Sequence, residues 1–286
     1  MVDKYTKTLK DNAFNLSDED VTAKINKIIA EKSEENNTVK VLREIYSCID
    51  LTTLNTTDTR EDIWKFTDKV NTFEGSNPLI KNVAAVCVFP NLVRTVKESL
   101  TANVKIASVC GGFPSSQTFL EVKIAETALA ISDGADEIDI VLNLGLFLNN
   151  DIKELCEEVD EIKEACHGRK LKVILETGAL KTSEKINNAS VLALYSGADF
   201  LKTSTGKVYP GATLEAAYVM CTAIKNYYKK TGVRKGIKIS GGVSTVKDAV
   251  NYYTIIKEIL GEEWCNQEFF RIGTSRLANT LLEAAQ

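Results

Sequence analysis

The chain has 286 residues, of which 44% are hydrophobic and 26% are charged, a composition typical of a globular protein and not of a disordered or fibrous one. Its 35 basic and 39 acidic residues give a net charge of -4, and no block of like charges predicts a nucleic-acid or membrane partner. Its length suits a single α/β barrel domain, although length alone would also allow two domains.

The N-terminal segment and the rare residue types narrow the class further. Met1 to Phe14 is polar, and no run reaches the roughly 18 apolar residues of a membrane-spanning helix, so we expect a cytosolic protein. The seven cysteines are scattered without a C-x-x-C pair, which favours free buried thiols. A single histidine, His167, excludes a multi-histidine metal site and leaves little room for a His-based triad. We therefore expect chemistry without a metal or a cofactor, based on lysine, carboxylate, cysteine and backbone groups.

Ahead of the first predicted strand, the sequence predicts an amphipathic helix. Ser17 is the expected N-cap, with Asp20 three residues on, and apolar residues then recur at helical spacing. These residues are Val21, Ile25, Ile28 and Ile29. We expect the helix to cover part of the domain that follows, and the polar run Glu31 to Asn37 to be a solvated connector.

Eight short apolar runs rich in β-branched residues follow, and the segments between them carry apolar residues at helical spacing. This alternation is typical of βαβ units and a parallel sheet. The tripeptide Gly-Ala-Asp precedes two of the strands, which indicates a repeated plan. The predicted strands are Tyr46 to Asp50, Val83 to Phe89, Val104 to Val109, Glu137 to Val141, Leu171 to Glu176, Phe200 to Thr203, Gly236 to Ser240 and Phe269 to Gly273.

The predicted fold class is α/β, a TIM (β/α)8 barrel with an additional N-terminal helical segment. Closing eight parallel strands into a barrel removes both edges of the sheet. A doubly wound open sheet is the alternative, but no G-x-G-x-x-G fingerprint follows the first strand. We assign residues 1–45 to the N-terminal helical extension and residues 46–286 to the catalytic barrel.

Polar residues interrupt the apolar strands near their C-terminal ends, where TIM barrels carry their reactive groups. Side-chain alternation places Asp139 on the face opposite Ile138 and Ile140, so its carboxylate is expected inside the barrel. For any one carboxylate a structural salt bridge is an alternative, but packing alone does not explain two lysines and two aspartates at one mouth. The residues in question are Asp50, Cys87, Asp139, Glu176, Lys202 and Lys238.

Two lysines on neighbouring strands favour covalent catalysis through an imine. Imine formation requires an uncharged amine, hence a pKa well below the ordinary lysine value of about 10.4. If Lys202 and Lys238 lie close together, repulsion between their charges and burial would lower the pKa of one of them.

Glycine-rich loops follow the last two strands, at Gly241-Gly242 and at Gly273-Thr274-Ser275. TIM barrels commonly bind phosphate through loop amides at this place, although an ordinary turn is the alternative for a lone Gly-Gly pair. The sequence therefore predicts a substrate that carries phosphate.

Several segments, taken in order, resemble the deoxyribose-phosphate aldolases. Phe200 to Lys207 is similar to the strand of that family that carries the Schiff-base lysine, and the resemblance extends from about Asp50 to Leu282. The other matching segments are Ile49 to Leu54, Val86 to Pro90, Gly112 to Pro114, Ala135 to Val141, Leu175 to Gly178, Gly236 to Lys238, Ser240 to Val243 and Arg271 to Ser275.

The resemblance implies an aldehyde-lyase of deoxyribonucleotide catabolism that reversibly cleaves 2-deoxy-D-ribose 5-phosphate to D-glyceraldehyde 3-phosphate and acetaldehyde. It implies that Lys202 is the Schiff-base nucleophile and that Lys238 lowers its pKa and helps to shuttle protons. Asp139 is implied as the carboxylate of a proton relay that works with a water molecule.

The resemblance also implies the substrate contacts. Asp50 and Thr205 are expected near the substrate hydroxyls, and Cys87 is expected as a thiol that lines the pocket. The implied phosphate-binding group consists of Gly206, Lys207, Gly241, Gly242, Gly273 and Ser275. The sequence departs from the family pattern at Arg276, where a second serine is common, and at Gln286, where some bacterial members end in a tyrosine implicated in proton exchange.

Two other functions remain open at this point. One is a class I aldolase or transaldolase that acts on a longer sugar phosphate, and the other is a barrel that binds a sugar phosphate without catalysis. Two lysines at the mouth argue against the second, because binding alone needs no uncharged amine. The oligomeric state cannot be obtained from the sequence, and a homodimer is kept as one possibility.

Overall fold

The computed structural model describes residues 4–286, so residues 1–3 of the predicted extension lie outside the described residues. Eight parallel strands lie side by side in chain order, and the last strand pairs with the first, which closes the sheet. The predicted TIM (β/α)8 barrel is confirmed. The strands are β1 (Ile49–Thr52), β2 (Ala85–Val88), β3 (Lys105–Cys110), β4 (Glu137–Val141), β5 (Lys170–Ile174), β6 (Phe200–Lys202), β7 (Gly236–Ser240) and β8 (Phe270–Thr274).

Helices follow the strands and cover the outside of the barrel, and three helices precede β1. Within residues 4–286, no helix is both long enough and apolar enough to cross a membrane. The helices are α1 (Lys4–Asp11), α2 (Asp18–Lys32), α3 (Val39–Ser47), α4 (Arg60–Phe73), α5 (Val93–Ser99), α6 (Leu120–Ser132), α7 (Leu144–Leu148), α8 (Ile152–Ala165), α9 (Thr177–Leu180), α10 (Ser183–Tyr195), α11 (Leu214–Thr231), α12 (Val246–Leu260) and α13 (Leu277–Ala284).

The strands separate two environments through their alternating side chains. In β4, Ile138 and Ile140 join the large apolar core between the strands and the helices. Glu137 and Asp139 point the other way, into the barrel, where they form ion pairs with basic residues of other strands. The predicted inward direction of Asp139 is therefore confirmed. All seven cysteines are buried and none forms a disulfide bond, as the sequence predicted.

The N-terminal helices lie against the helices that follow β5, β6 and β7. Helix α2 packs on α11 and α12, and α1 packs on α10. Side chains also cross this contact: Asn187 Nδ2 donates to the backbone oxygen of Asn12 at 3.0 Å, and the backbone nitrogen of Ser183 donates to Asp18 Oδ1 at 2.9 Å. The extension thus covers part of the barrel, as expected.

The predicted strand ends agree with the structure to within two residues, except at the start of β1. Strand β1 begins at Ile49, because Tyr46 belongs to helix α3, whose first turn is capped by the Thr38 side chain. The run Glu31 to Asn37 is largely exposed, as expected of a solvated connector, but it is regular: α2 continues to Lys32, and a 3₁₀ turn at Glu34–Asn36 buries an asparagine that donates to Thr254. The proposed division between residues 45 and 46 falls inside α3 and remains a prediction.

The capping box at the start of α2 offers a test of how firmly the extension is held. Ser17 Oγ accepts from the Asp20 backbone nitrogen at 3.1 Å, and Asp20 Oδ2 accepts from the Ser17 backbone nitrogen at 3.2 Å. We expect Ser17→Ala to lower the free energy of unfolding by about 1 kcal/mol, since the first turn loses its cap. Denaturant unfolding measures the change. Thr22→Ala, on the exposed surface of the same helix, is the control and should have little effect; equal losses in both variants would contradict the capping role.

Candidate active site

Seven ionisable side chains meet inside the barrel and are each at most 3% exposed. We call them the interior charge cluster. They come from six of the eight strands, and such burial is unfavourable for a charge unless opposite charges surround it. The cluster consists of Asp50 from β1, Glu137 and Asp139 from β4, Lys172 from β5, Lys202 from β6, Lys238 from β7 and Arg271 from β8.

Asp139 lies at the centre of the cluster. Its Oδ2 atom accepts hydrogen bonds from Lys202 Nζ and from Lys238 Nζ, both at 2.8 Å. Its Oδ1 atom accepts from Lys172 Nζ at 2.9 Å. The shared oxygen places the amines of Lys202 and Lys238 within about 6 Å of each other, the range over which one charge shifts the pKa of another. The structure thus brings together the two lysines and the aspartate that the sequence singled out.

The two lysines that share this oxygen differ in their proton affinity. Burial lowers the pKa of Lys202, and the positive charge of Lys238 lowers it further, although the Asp139 carboxylate acts in the opposite direction. Burial also disfavours the charged form of Lys238, but Asp139 and Asp50 together outweigh it and raise the pKa of Lys238 above its ordinary value. Lys202 therefore holds its proton less tightly than Lys238 does.

The charges of the cluster nearly balance. Burial alone would raise the pKa of Asp139, but the three lysines around it hold that pKa well below its usual range. The pKa values of Asp50 and Glu137 are lowered as well, so the cluster contains three carboxylates. It also contains four basic side chains, so loss of one proton from these makes the buried cluster neutral. Lys202 is the basic member whose pKa is lowered.

The sequence analysis did not assign roles to three members of the cluster. Lys172 and Arg271 lie one or two positions after the start of their strands, whereas the search covered polar residues near strand ends. Glu137 was placed on the inward face but given no function. The signal that would have found them is a single basic residue between two apolar neighbours, such as Arg271 between Phe270 and Ile272.

A cavity of about 690 Å³ opens above the cluster at the C-terminal ends of β1, β6, β7 and β8. Lys202 and Lys238 form part of its wall, together with most of the residues predicted to bind substrate. Asp50 and Cys87 are fully buried and do not line the cavity, and burial raises the pKa of the Cys87 thiol, which is typical of an unreactive cysteine. The predicted residues that line the cavity are Thr205, Gly206, Lys207, Gly241, Gly242, Gly273 and Ser275.

The loops after β6 and β7 approach each other so closely that only glycine fits at the contact. A side chain at Gly211 would collide with the backbone oxygen of Gly241. Gly241 and Gly242 also have positive φ angles of 83° and 86°, which glycine adopts without strain. The backbone nitrogen of Ala212 donates to Gly241 O at 2.9 Å and fixes the two loops together. This contact holds the glycine amides at the edge of the cavity.

Glu176 anchors the other side of the loop after β6. Its carboxylate accepts from the Thr205 backbone nitrogen at 3.1 Å and from Thr205 Oγ1 at 2.6 Å. Thr205 Oγ1 in turn accepts from the backbone nitrogen of Lys207 at 3.1 Å. The hydroxyl predicted to contact the substrate therefore also supports the loop that carries Lys207.

Two cations line the cavity without a carboxylate partner. Lys207 Nζ donates to the backbone oxygen of Leu54, across the mouth from its own loop. Arg276 forms no ion pair within the described part of the chain, and none of the residues that line the cavity is acidic. By contrast, Lys202 and Lys238 are paired with Asp139. Uncompensated positive charge beside glycine amides is an arrangement suited to a phosphate group.

Comparisons with known proteins identify relatives of this chain. Residues 45–261 match the model of the DeoC/LacD family of aldolases. The chain is 40% identical over 247 residues to the deoxyribose-phosphate aldolase of Bos taurus, and the match covers 82% of this chain and 78% of that protein. It is 38% identical over 269 residues to the deoxyribose-phosphate aldolase of Homo sapiens, with 88% and 85% of the two chains covered.

Comparison with solved structures identifies aldolases that have a similar fold. The structure described as "QR15, an Aldolase" superposes with a TM-score of 0.68 at 30% identity and covers 84% of this chain and 95% of its own. The tetrameric deoxyribose phosphate aldolase of Aeropyrum pernix superposes with a TM-score of 0.67 at 26% identity, covering 90% and 96%.

The two unpaired cations predict that the cavity binds inorganic phosphate. We expect phosphate to raise the melting temperature more than chloride at equal ionic strength, because it binds the folded state. Lys207→Ala and Arg276→Ala should each weaken phosphate binding roughly tenfold, the effect of losing about 1.5 kcal/mol from one charge-assisted contact. Calorimetric titration measures the affinity. Lys153→Ala, at an exposed position on α8, is the control; an unchanged affinity in both cavity variants would contradict the assignment.

Proposed function

We propose residue roles for this site from the premise that the chain belongs to the DeoC/LacD family of aldolases. Its activity is that of a deoxyribose-phosphate aldolase, an aldehyde-lyase. This activity is the reversible cleavage of 2-deoxy-D-ribose 5-phosphate to D-glyceraldehyde 3-phosphate and acetaldehyde. The observation that carries the assignment of roles is the Asp139 oxygen shared by Lys202 and Lys238.

In the proposed reaction, uncharged Lys202 attacks the aldehyde carbon C1 of the open-chain sugar. The resulting carbinolamine loses its hydroxyl group as water and leaves a protonated imine. We assign the proton donor for this hydroxyl group to Lys238, because it is charged and its contact with the Asp139 oxygen that Lys202 also uses places it beside the reacting amine. The imine then acts as an electron sink for the bond that has to break.

Cleavage of the C2–C3 bond follows when the hydroxyl group on C3 loses its proton. The electron pair of the C2–C3 bond moves into the imine and forms an enamine, and the C3–C5 fragment leaves as D-glyceraldehyde 3-phosphate. Protonation of the enamine at C2 and addition of water to the imine release acetaldehyde and restore the amine. We assign the proton transfers to Asp139 with a water molecule, since Asp139 stays ionised between the two lysines.

The phosphate group is assigned to the loops after β6, β7 and β8. Lys207 and Arg276 supply positive charge, and the glycine amides supply directed hydrogen bonds. Gly206, Gly241, Gly242, Gly273 and Ser275 complete this proposed subsite. Thr205 is kept as a proposed contact to a substrate hydroxyl because it lines the cavity. Asp50 is buried below the cavity, so we propose that it influences the reaction through its contact with Lys238.

Two features outside the reaction stay proposals. We propose a cytosolic location, which the absence of disulfide bonds among the seven cysteines supports, because reducing compartments disfavour such bonds. A homodimer remains a prediction from the sequence.

Trapping of the imine tests the Lys202 assignment. Borohydride with acetaldehyde should label Lys202 irreversibly, because reduction converts the imine into a stable secondary amine. A peptide map locates the label. Lys202→Leu should abolish both the label and turnover, whereas Lys207→Leu should keep the label and mainly raise KM for the phosphorylated substrate. A label on another lysine would contradict the role of Lys202.

Substrate comparison with the same protein tests the alternative activities. Deoxyribose 5-phosphate should release acetaldehyde, measured with a coupled dehydrogenase. Reaction of fructose 6-phosphate or fructose bisphosphate in its place would favour an aldolase or transaldolase for longer sugars. Binding of deoxyribose 5-phosphate without turnover would favour a barrel that only binds.

The charge of Lys238 predicts a pH-dependent defect. Lys238→Leu removes a positive charge beside Lys202, so the pKa of Lys202 should rise and less of its amine should be uncharged at neutral pH. We expect turnover at neutral pH to fall by roughly 10². Because the uncharged amine is present above its pKa, part of the activity should return as the pH rises. A pH profile of kcat measures this, and a loss that is equal at every pH would contradict the electrostatic role.

A further inference from the structure

Below Asp139, Arg271 connects two further carboxylates of the interior charge cluster. Its two terminal nitrogens bind both oxygens of Glu137, at 2.8 and 3.0 Å, in a bidentate pair. One of them also donates to Asp50 Oδ1 at 2.6 Å. Its Nε atom donates to the backbone oxygen of Gln267. The guanidinium group is thus held in one orientation, and it holds both carboxylates in turn.

Asp50 depends on this contact for its own orientation. Arg271 occupies its Oδ1 atom, which leaves Oδ2 facing Lys238 and, at 3.5 Å, Lys172. No hydrogen bond of good geometry reaches Oδ2, so charge alone acts on this oxygen. Asp50 and Asp139 are the two carboxylates in contact with Lys238. Arg271 therefore acts on Lys238 through Asp50 without touching it.

The titratable groups inside the barrel can be followed strand by strand. Cys87 on β2 is a buried thiol whose pKa is raised by burial, and β3 contributes the buried apolar side chains of Ala107 and Val109. The remaining strands contribute the interior charge cluster of Asp50, Glu137, Asp139, Lys172, Lys202, Lys238 and Arg271. Outside the cluster, Lys170 pairs with Glu268 at 2.8 Å, and the charges of Arg271 and Glu137 also act on this carboxylate. Arg271 stays charged at any working pH, so its positive charge is a fixed part of the balance in the cluster.

We infer that Arg271 is a positioning residue for the reaction: it holds Asp50 and Glu137 in place, and its charge offsets theirs so that Lys202 stays the one uncharged amine of the cluster. The inference rests on the proposed function, because the Lys202 imine is its readout. Arg271 does not line the cavity, so it acts through other residues of the cluster. A role limited to packing would change stability alone, whereas a charge role must shift the proton equilibrium of Lys202.

Opposite substitutions on the two partners give opposite expectations. Arg271→Met removes a positive charge from the buried cluster, which favours protonation of Lys202. Glu137→Gln removes a negative charge at nearly constant shape, which favours the uncharged form of Lys202. The double variant removes one charge of each sign and restores the balance. Arg94→Met, on the exposed surface of α5, is the control for loss of an arginine.

The experiment measures the rate of borohydride trapping of the acetaldehyde imine as a function of pH, with kcat, KM and the melting temperature of each variant. For Arg271→Met we expect the midpoint of the pH profile to rise by roughly one unit, so that kcat at neutral pH falls about tenfold. For Glu137→Gln the midpoint should fall, and for the double variant it should return close to that of the parent. KM for deoxyribose 5-phosphate should change less than about twofold in the double variant.

Unchanged midpoints in folded Arg271→Met and Glu137→Gln would overturn the inference, as would shifts in the same direction. If Arg271→Met does not fold, the downward shift in Glu137→Gln and the return in the double variant decide the question. Failure of the proposed function looks different. In that case the parent protein itself would form no trappable imine, whereas failure of the Arg271 role would leave parental trapping and turnover intact.

Discussion

One carboxylate oxygen of Asp139 accepts hydrogen bonds from two lysine nitrogens, and the other parts of the active site depend on this shared contact. A barrel is required to make it, because the three side chains come from β4, β6 and β7, separated by long stretches of sequence. The surrounding strands remove water, so charges act strongly on one another at this point. As a result, the pKa of Lys202 is lowered and that of Lys238 is raised, although both lysines contact the same oxygen. Imine chemistry needs both an amine that can lose its proton and a group that can supply one.

The barrel separates the charges that perform chemistry from the charges that recognise the substrate. Below the cavity, three carboxylates balance the basic side chains, so that the buried cluster carries no excess charge when Lys202 is uncharged. At the rim, Lys207 and Arg276 lack such partners. In the proposed reaction, formation of the protonated imine adds one positive charge below the cavity, while the phosphate group of the substrate supplies negative charge at the rim. The two regions thus complement each other only when the phosphorylated substrate is bound.

The alternation of side chains in the sequence predicted the barrel, the inward direction of Asp139 and the proximity of Lys202 and Lys238. It could not predict how deep each inward residue lies, because depth depends on the tilt and stagger of the strands. The resemblance implied that Asp50 lies near the substrate hydroxyls and that Cys87 lines the pocket, whereas both are fully buried and neither lines the cavity. Lys172 and Arg271 were missed because their strand positions looked like early core positions. Their role follows from partners on distant strands, which a single local pattern does not reveal.

The hydrogen bond from Lys207 to the backbone oxygen of Leu54 joins the loop after β6 to the loop after β1 across the mouth of the barrel. An incoming anion that takes this ammonium group must therefore compete with a peptide carbonyl. A sugar without phosphate offers only hydroxyl groups, which compete poorly for a cation, so the bridge stays in place. A phosphate dianion competes well and releases it. The contact between Lys207 and Leu54 therefore distinguishes ligands by their charge, since only a strongly charged molecule displaces the Leu54 carbonyl from Lys207.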